Sequence, residues 1–149
     1  MSVEPAAPGI PDPGAAEACV LGARAALNAA GALGDHTAPR LIVRITRLEE
    51  TTSGTARLAG RPTGRGSRLV LFGEATVVRG AGEPPETFVA RTAEAIADRP
   101  DAADELRSRD DAIRELARNL GRELALRALG RGDTSTGRDT GGMWYGLAP

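Results

Sequence analysis

The chain has 149 residues, a formal net charge of −1, one Cys, one His and only 3% aromatic residues. That length suits a single domain, and such a domain buries roughly 68–70% of its unfolded surface without disulfide or metal staples. One Cys excludes an internal disulfide framework and a Cys-rich zinc site, one His weighs against multi-His metal centres and His-based triads, and the near-zero charge and scarce aromatics argue against nucleic acid as a partner.

All 19 cationic residues are Arg, with no Lys and no Gln in the chain. Together with abundant Ala and Gly, this is the mark of G+C-rich bacterial coding sequence. Arginine number alone therefore does not point to phosphate binding. No apolar run reaches the ~18–20 residues of a membrane span, and no apolar stretch follows Met1 and Ser2 to make a signal peptide.

Residues 1–13 carry four prolines and read as extended, with Val3 opening a short strand that Pro5, Pro8 and Pro11 limit. A helix is predicted from Asp12 or Pro13. Asp12 suits the N-cap, Pro13 the first helical position, and Glu17 the positive end of the helix dipole. Val20, Ala23, Leu27 and Ala30 recur at helical spacing, flanked by Ala16 and Ala26, with Arg24 and Asn28 opposite. Gly31 and Gly34 end the helix.

Beyond Pro39 the period changes to two. Leu41, Val43 and Ile45 form one face of a strand, and Arg40, Ile42, Arg44 and Thr46 the other, continuing toward Glu50. Residues 51–67 are rich in Gly, Thr and Arg and read as a long hairpin connection with one more short strand near 56–58. Residues 67–78 form the next strand. Leu69, Leu71, Gly73, Ala75 and Val77 face one way, and Gly73 marks a bulge or a close approach of a helix. After a Gly/Pro turn, residues 87–95 read as a third long strand with Phe88, Ala90 and Thr92 on one face, although 93–97 would also suit a helix.

The last element is an amphipathic helix from Ala102 or Ser108 to Leu129, with the stripe Ile113, Leu116, Ala117, Leu120, Leu124 and Ala128. Glu105/Arg109, Asp110/Arg114 and Glu123/Arg127 have i,i+4 spacing with the acid first, which favours a solvated outer face. The expectation is an α+β two-layer sandwich in the order β-α-β-β-β-α, mostly antiparallel, with two helices on one sheet face. Residues 1–130 form this single domain, and 131–149 form a disordered C-terminal tail. The other sheet face, bearing Ile42, Arg44, Thr46 and Phe72, is solvated or held against a partner.

Few residues carry chemistry. The glycines of 60–67 lead into a strand and lack the Lys of a phosphate loop, so they read as a hairpin loop. Arg57, Arg61, Arg65 and Arg68 concentrate there with few acids nearby, and form the candidate anionic-ligand site. Cys19 reads as a small buried helix residue and His36 as a loop residue. Trp144 and Tyr145 stand together in the tail. Glu74, alone in mid-strand, is the carboxylate to inspect for a perturbed environment. No nucleophile, base and orienting group assemble, and no metal-ligand spacing occurs, so an enzyme, a metal site and a cofactor are not expected.

Several local sequences, and the order of the elements, resemble the outer-membrane lipopolysaccharide-assembly lipoprotein family, called LptE-like. The matching pieces are Val3-Glu4-Pro5, the Ala-rich stretch 25–33, the alternating 41–45, the strand 69–77 and the helical 112–120. The likeness covers about residues 3–130. It implies a non-enzymatic role: binding inside or beneath a large outer-membrane β-barrel, helping it assemble, and contacting lipopolysaccharide. It places the protein on the periplasmic side of the outer membrane if a signal and lipobox precede this sequence. Other periplasmic auxiliary proteins share the architecture. The alternatives are a soluble α+β module for another anionic ligand, an auxiliary protein of a different envelope complex, and a small enzyme built around Glu74.

Overall fold

A computed structural model describes residues 1–7, 9–10, 12–35, 39–53, 57–58, 61–62, 66–80, 82–97 and 102–131. The elements run β1 (Ser2–Pro5), α1 (Pro13–Ala29), β2 (Arg40–Ser53), β3 (Arg57–Leu58), β4 (Arg61–Pro62), β5 (Gly66–Val78), β6 (Glu86–Ala97) and α2 (Ala102–Ala128). The main sheet has the spatial order β1-β2-β5-β6. β1 runs parallel to β2, while β2–β5 and β5–β6 are antiparallel. β3 and β4 pair as a small separate hairpin within the β2–β5 connection. The α+β sandwich expected from the sequence is thus present, and the C-terminal tail beyond Arg131 lies outside the described residues.

Local chemistry sets the helix ends. The Asp12 carboxylate accepts a hydrogen bond from the Ala15 N–H at 3.1 Å, and Pro13 fills the first helical position, where no N–H is needed. Gly31 follows the C-terminus at φ +66, a conformation that L side chains resist. The buried face of α1 is rotated from the one expected. Ala15, Ala18, Cys19, Gly22, Ala23, Ala26 and Leu27 are buried, whereas Val20, Ala16 and Ala30 sit at the margin. The cause is helix-on-helix packing: α1 meets α2 through its smallest residues.

That contact is almost backbone to backbone. A Cβ on Gly22 would run into the Arg118 carbonyl, and one on Gly121 into the Cys19 carbonyl. Two glycines therefore set the crossing, with Ala18, Ala117 and Ala125 buried around it. Beneath the helices lie Val3, Leu41, Val43, Ile45, Leu69, Leu71, Ala75, Val77 and Ala90 from the sheet, all buried. Gly73 completes the layer, since a Cβ there would meet Leu120 Cδ2 at 2.8 Å and the Arg44 carbonyl at 2.9 Å. The close approach expected at Gly73 is present. The irregularity in the ladder lies across from it, between Ile45 and Arg47.

That bulge changes which residues of β2 face the helices. Leu41, Val43 and Ile45 do so before it, and beyond it Leu48 and Glu50 take their place opposite Leu71 and Leu69. Arg47 consequently falls on the far side, opposite Phe72. On the helix side, Arg109 Nε and Nη2 both donate to Glu50 Oε2, at 3.1 and 2.8 Å. Arg109 thus pairs across the layers and not with Glu105. Similarly, Arg114 pairs with Asp111 at i,i+3 and not with Asp110, and only Glu123–Arg127 keeps its expected i,i+4 spacing. Residues 93–97 extend β6 and form no helix.

Candidate binding surface

Both helices pack on one side of the sheet, so no element of the described chain covers the other. Strand alternation dictates what that face carries. From β2 come Arg40, Ile42, Arg44, Arg47, Glu49 and Thr51. From β5 come Arg68, Val70, Phe72, Glu74, Thr76 and Val78, and from β6 come Thr87, Val89, Arg91, Ala93 and Ala95. The registers align these residues into rows across the strands.

The rows alternate in chemistry. Ile42 lies beside Thr76 and Thr87, whose hydroxyls approach to 3.4 Å. Next, Arg44 pairs with Glu74 at 3.6 Å, with Val89 beyond them at 66% exposure. The third row is Arg47, Phe72 and Arg91. Here the Arg47 guanidinium carbon stands 4.4 Å from the Phe72 ring centroid, within cation–π range, and Arg47 also pairs with Glu49 at 3.0 Å. Beyond lie Glu49, Val70 and Ala93, and then Thr51, Arg68 and Ala95. At the opposite end Arg40 pairs with Glu4 of β1 at 3.6 Å. The surface is thus neither a polar coat nor an apolar patch. It interleaves half-buried and exposed apolar side chains with matched charges. Arg68 and Arg91 have no carboxylate partner among the described residues.

The sequence-derived arginine candidates are only partly placed. Arg57 and Arg61 belong to the backbone of the β3–β4 hairpin, on neighbouring register positions. Their side chains, and all of Arg65, lie outside the described residues. Arg68 is exposed on the open face, opposite Thr51 and Ala95. Glu74 is held by Arg44 on the same open face and does not sit in a cleft. His36, Trp144 and Tyr145 also fall outside the described residues.

Arg91 and the Arg47–Phe72 stack are the residues that sequence reading missed. Their signal was present, because Phe72 and Arg91 both fall on the polar side of an alternating strand. The bulge that turns Arg47 toward Phe72 was not foreseen.

Other features offer less chemistry. An open cleft of about 380 Å³ between β6 and α2 is lined by Glu94, Ile96, Ser108, Asp111 and Glu115. Its polar lining is one hydroxyl and three carboxylates on an open surface. Among the described residues no three His, Cys, Asp or Glu side chains gather as a metal site. Cys19 is buried under the helix crossing, and burial pushes its thiol up to about 12, which makes it a poor nucleophile. No helix of the described chain is long and apolar enough to cross a membrane.

No protein-family model and no curated protein sequence matches the chain. Solved structures do. Rare lipoprotein B from Shewanella oneidensis shares the fold at a TM-score of 0.54 and 14% identity, over 87% of this chain and 92% of that one. A chain from Caulobacter crescentus CB15 described as a lipoprotein aligns at a TM-score of 0.55 and 11% identity, over 84% of this chain and 86% of that one. At these identities the shared property is the fold: the same two-helix, one-sheet sandwich, with each chain spanned nearly end to end.

Proposed function

We propose that this protein is a non-catalytic assembly factor of the bacterial envelope, of the LptE-like lipoprotein type. It works on the periplasmic side of the outer membrane, with its open sheet face docked against a β-barrel protein of lipopolysaccharide assembly. One observation carries the reading. A sheet face left uncovered by the described residues carries Ile42, Val70, Phe72, Val78 and Val89 between self-matched ion pairs. Matched pairs lower the cost of bringing charges into a protein interface, and the aromatic and aliphatic side chains supply area to bury. The family resemblance in the sequence and the lipoprotein folds among solved structures support the same role.

Within that role, Arg68 and Arg91 are the cations left over for an anionic lipid headgroup, with Arg57, Arg61 and Arg65 of the hairpin as further candidates. The test has two arms. Pull-down from an outer-membrane fraction, with the whole chain as bait, should retain a β-barrel protein, and Phe72→Ala with Val89→Asp should lose it. Vesicles containing lipopolysaccharide should bind the chain more tightly than phosphatidylcholine vesicles, and Arg68→Ala with Arg91→Ala should remove the difference. Retention of the barrel by the open-face variant would sink the docking surface. Binding to a soluble polyanion but to neither membrane component would favour the anionic-ligand module instead.

A further inference from the structure

The last helix begins before its floor does. Ile113, Ala117, Leu120 and Leu124 lie within about 60° of arc on α2, and Leu106 falls on the same line. The first four are at most 3% exposed, whereas Leu106 is 63% exposed. Between Ala103 and Ala112 no residue is buried; Ser108, Arg109 and Ala112 are half-buried and the others exposed. The inward side of α2 is therefore closely packed only from Ile113 onward.

What ties these first turns to the sheet is polar. Arg109 gives two hydrogen bonds to one oxygen of Glu50, at 3.1 and 2.8 Å, and both side chains stay about one-third exposed, at 37% and 35%. That bond, with the negative charge of Asp110 and of Asp12 at the start of α1, holds the guanidinium above the ordinary arginine range. In the sheet, Glu50 shares a row with Leu69 and Glu94. On the β6 side of the same turns the packing is open. The cleft lined by Glu94, Ile96, Ser108 and Asp111 adjoins a second, of about 390 Å³, along Asp104, Arg107 and Ser108.

We infer that residues 102–112 are a strap, clasped to β2 by Arg109 on Glu50, which opens from the sheet by unwinding while the rest of α2 stays in place. From Ala103 to Ala112, opening takes no buried side chain of the strap into water, because there is none. A segment of that kind opens at a small fraction of the cost of unfolding the domain. The clasp sits close to the first buried position, Ile113, so its release frees every turn before it. Opening merges the two clefts and bares the helix side of Glu50 and Glu94. It acts on the side of the sheet that the helices cover, and so stands apart from the docking proposed for the open face.

Hydrogen exchange of the whole chain, followed amide by amide in low concentrations of urea, tests this. The first amides of any helix lack partners within it, so the readout is residues 106–112 against residues 116–128. In the wild type the first group should exchange about a hundredfold faster or more. Its rate should hardly change with urea, because opening the strap exposes little surface, whereas the second group should speed up steeply. Glu50→Gln and Arg109→Gln should each speed exchange over 106–112 by about two- to fivefold, the effect of losing a partly exposed pair. The double variant should add nothing to either single one, since both remove the same contact. A shared urea dependence for the two groups overturns the inference, because 106–112 then open only when the domain unfolds. Exchange over 106–112 that neither variant alters overturns it too, because the pair is then no clasp.

Discussion

Leu71 and Phe72 are neighbours in one strand and live in different solvents. Leu71 is fully buried beneath α2, while Phe72 is half-buried under an arginine on the uncovered side. The two faces of the sheet differ in the same way throughout. The helix side is built of Leu, Val, Ile and Ala, with glycine wherever backbones nearly touch. The open side alternates aliphatic residues with ion pairs in register. One face is specified by volume, the other by charge placement. It follows that substitutions on the first should act on stability and those on the second on recognition.

The sharpest way to break that contrast is at the helix crossing above the covered face. Gly to Ala in a helix ordinarily gains about 1 kcal/mol of propensity. At Gly121 the added methyl would run into the Cys19 carbonyl, a backbone atom that cannot rotate away. Gly121→Ala should therefore destabilise by about 3 kcal/mol or more, as overpacking does when a core cannot relax. Gly22→Ala should behave alike, and the double variant should not fold. Thermal unfolding by circular dichroism decides it; a melting point equal to wild type would mean the helices slide apart freely.

Next comes the adjacent pair itself. Leu71→Ala should cost about 2–5 kcal/mol, the range for emptying a buried leucine site. Phe72→Ala removes a ring that water already reaches, so its cost should be under about half of that, by the apolar area left to lose. Denaturant titration gives both values. Equal losses would erase the distinction between the faces, whereas a large difference in stability, with binding lost only in the Phe72 variant, would sharpen it.

A third effect belongs to the covered side alone and depends on pH. Burial raises the Cys19 thiol from an ordinary 9.0 to about 12. Between those values the unfolded chain has released its proton and the folded chain has kept it. The unfolded state then binds fewer protons, so stability falls as pH rises. The contribution is intact below about pH 9 and declines by about 1.4 kcal/mol per pH unit above it until about pH 12. Stability measured at pH 8 and pH 10 should show this decline in the wild type and lose it in Cys19→Ala. Equal slopes in the two proteins would mean that water reaches the thiol.

Much of the covered face was legible from the residues. Alternation at Leu41, Val43 and Ile45, and again from Leu69 to Val77, fixed two strands and their inward sides. The stripe from Ile113 to Ala128 fixed α2. The rotation of α1 was harder to read, because in an Ala-rich helix hydrophobicity hardly distinguishes one side from another. Only the two glycines mark the contact, and they do so as a pair from different helices. The bulge after Ile45 was the other gap. Extending the first alternation would turn Leu48 outward and Arg47 inward, a pattern whose own improbability is the signal that a residue is skipped. The open face suffered most from this, since Arg47 joins Phe72 only through that slip. The cross-layer Arg109–Glu50 pair was invisible for a related reason: helix spacing offers Arg109 a partner in Glu105, and the sequence holds nothing that ranks a distant carboxylate above it.

The smallest expected effect lies within the open face and asks whether its charges are placed for stability at all. Arg44 and Glu74 are 3.6 Å apart with side chains about half exposed, at 47% and 37%. Pairs of this kind contribute about 0.2–1 kcal/mol, reduced by salt. Arg44→Glu alone places like charges in one row and should cost about 0.5 kcal/mol at low ionic strength. The swap Arg44→Glu with Glu74→Arg should recover most of it. If the row serves only folding, the swap restores everything. If it serves recognition, the swap restores the melting temperature but not retention of the proposed barrel partner, because a partner reads the sign of each position and not merely their balance. The two readouts on one swapped protein therefore separate the charge pattern that the sheet needs from the one that the proposed partner would read.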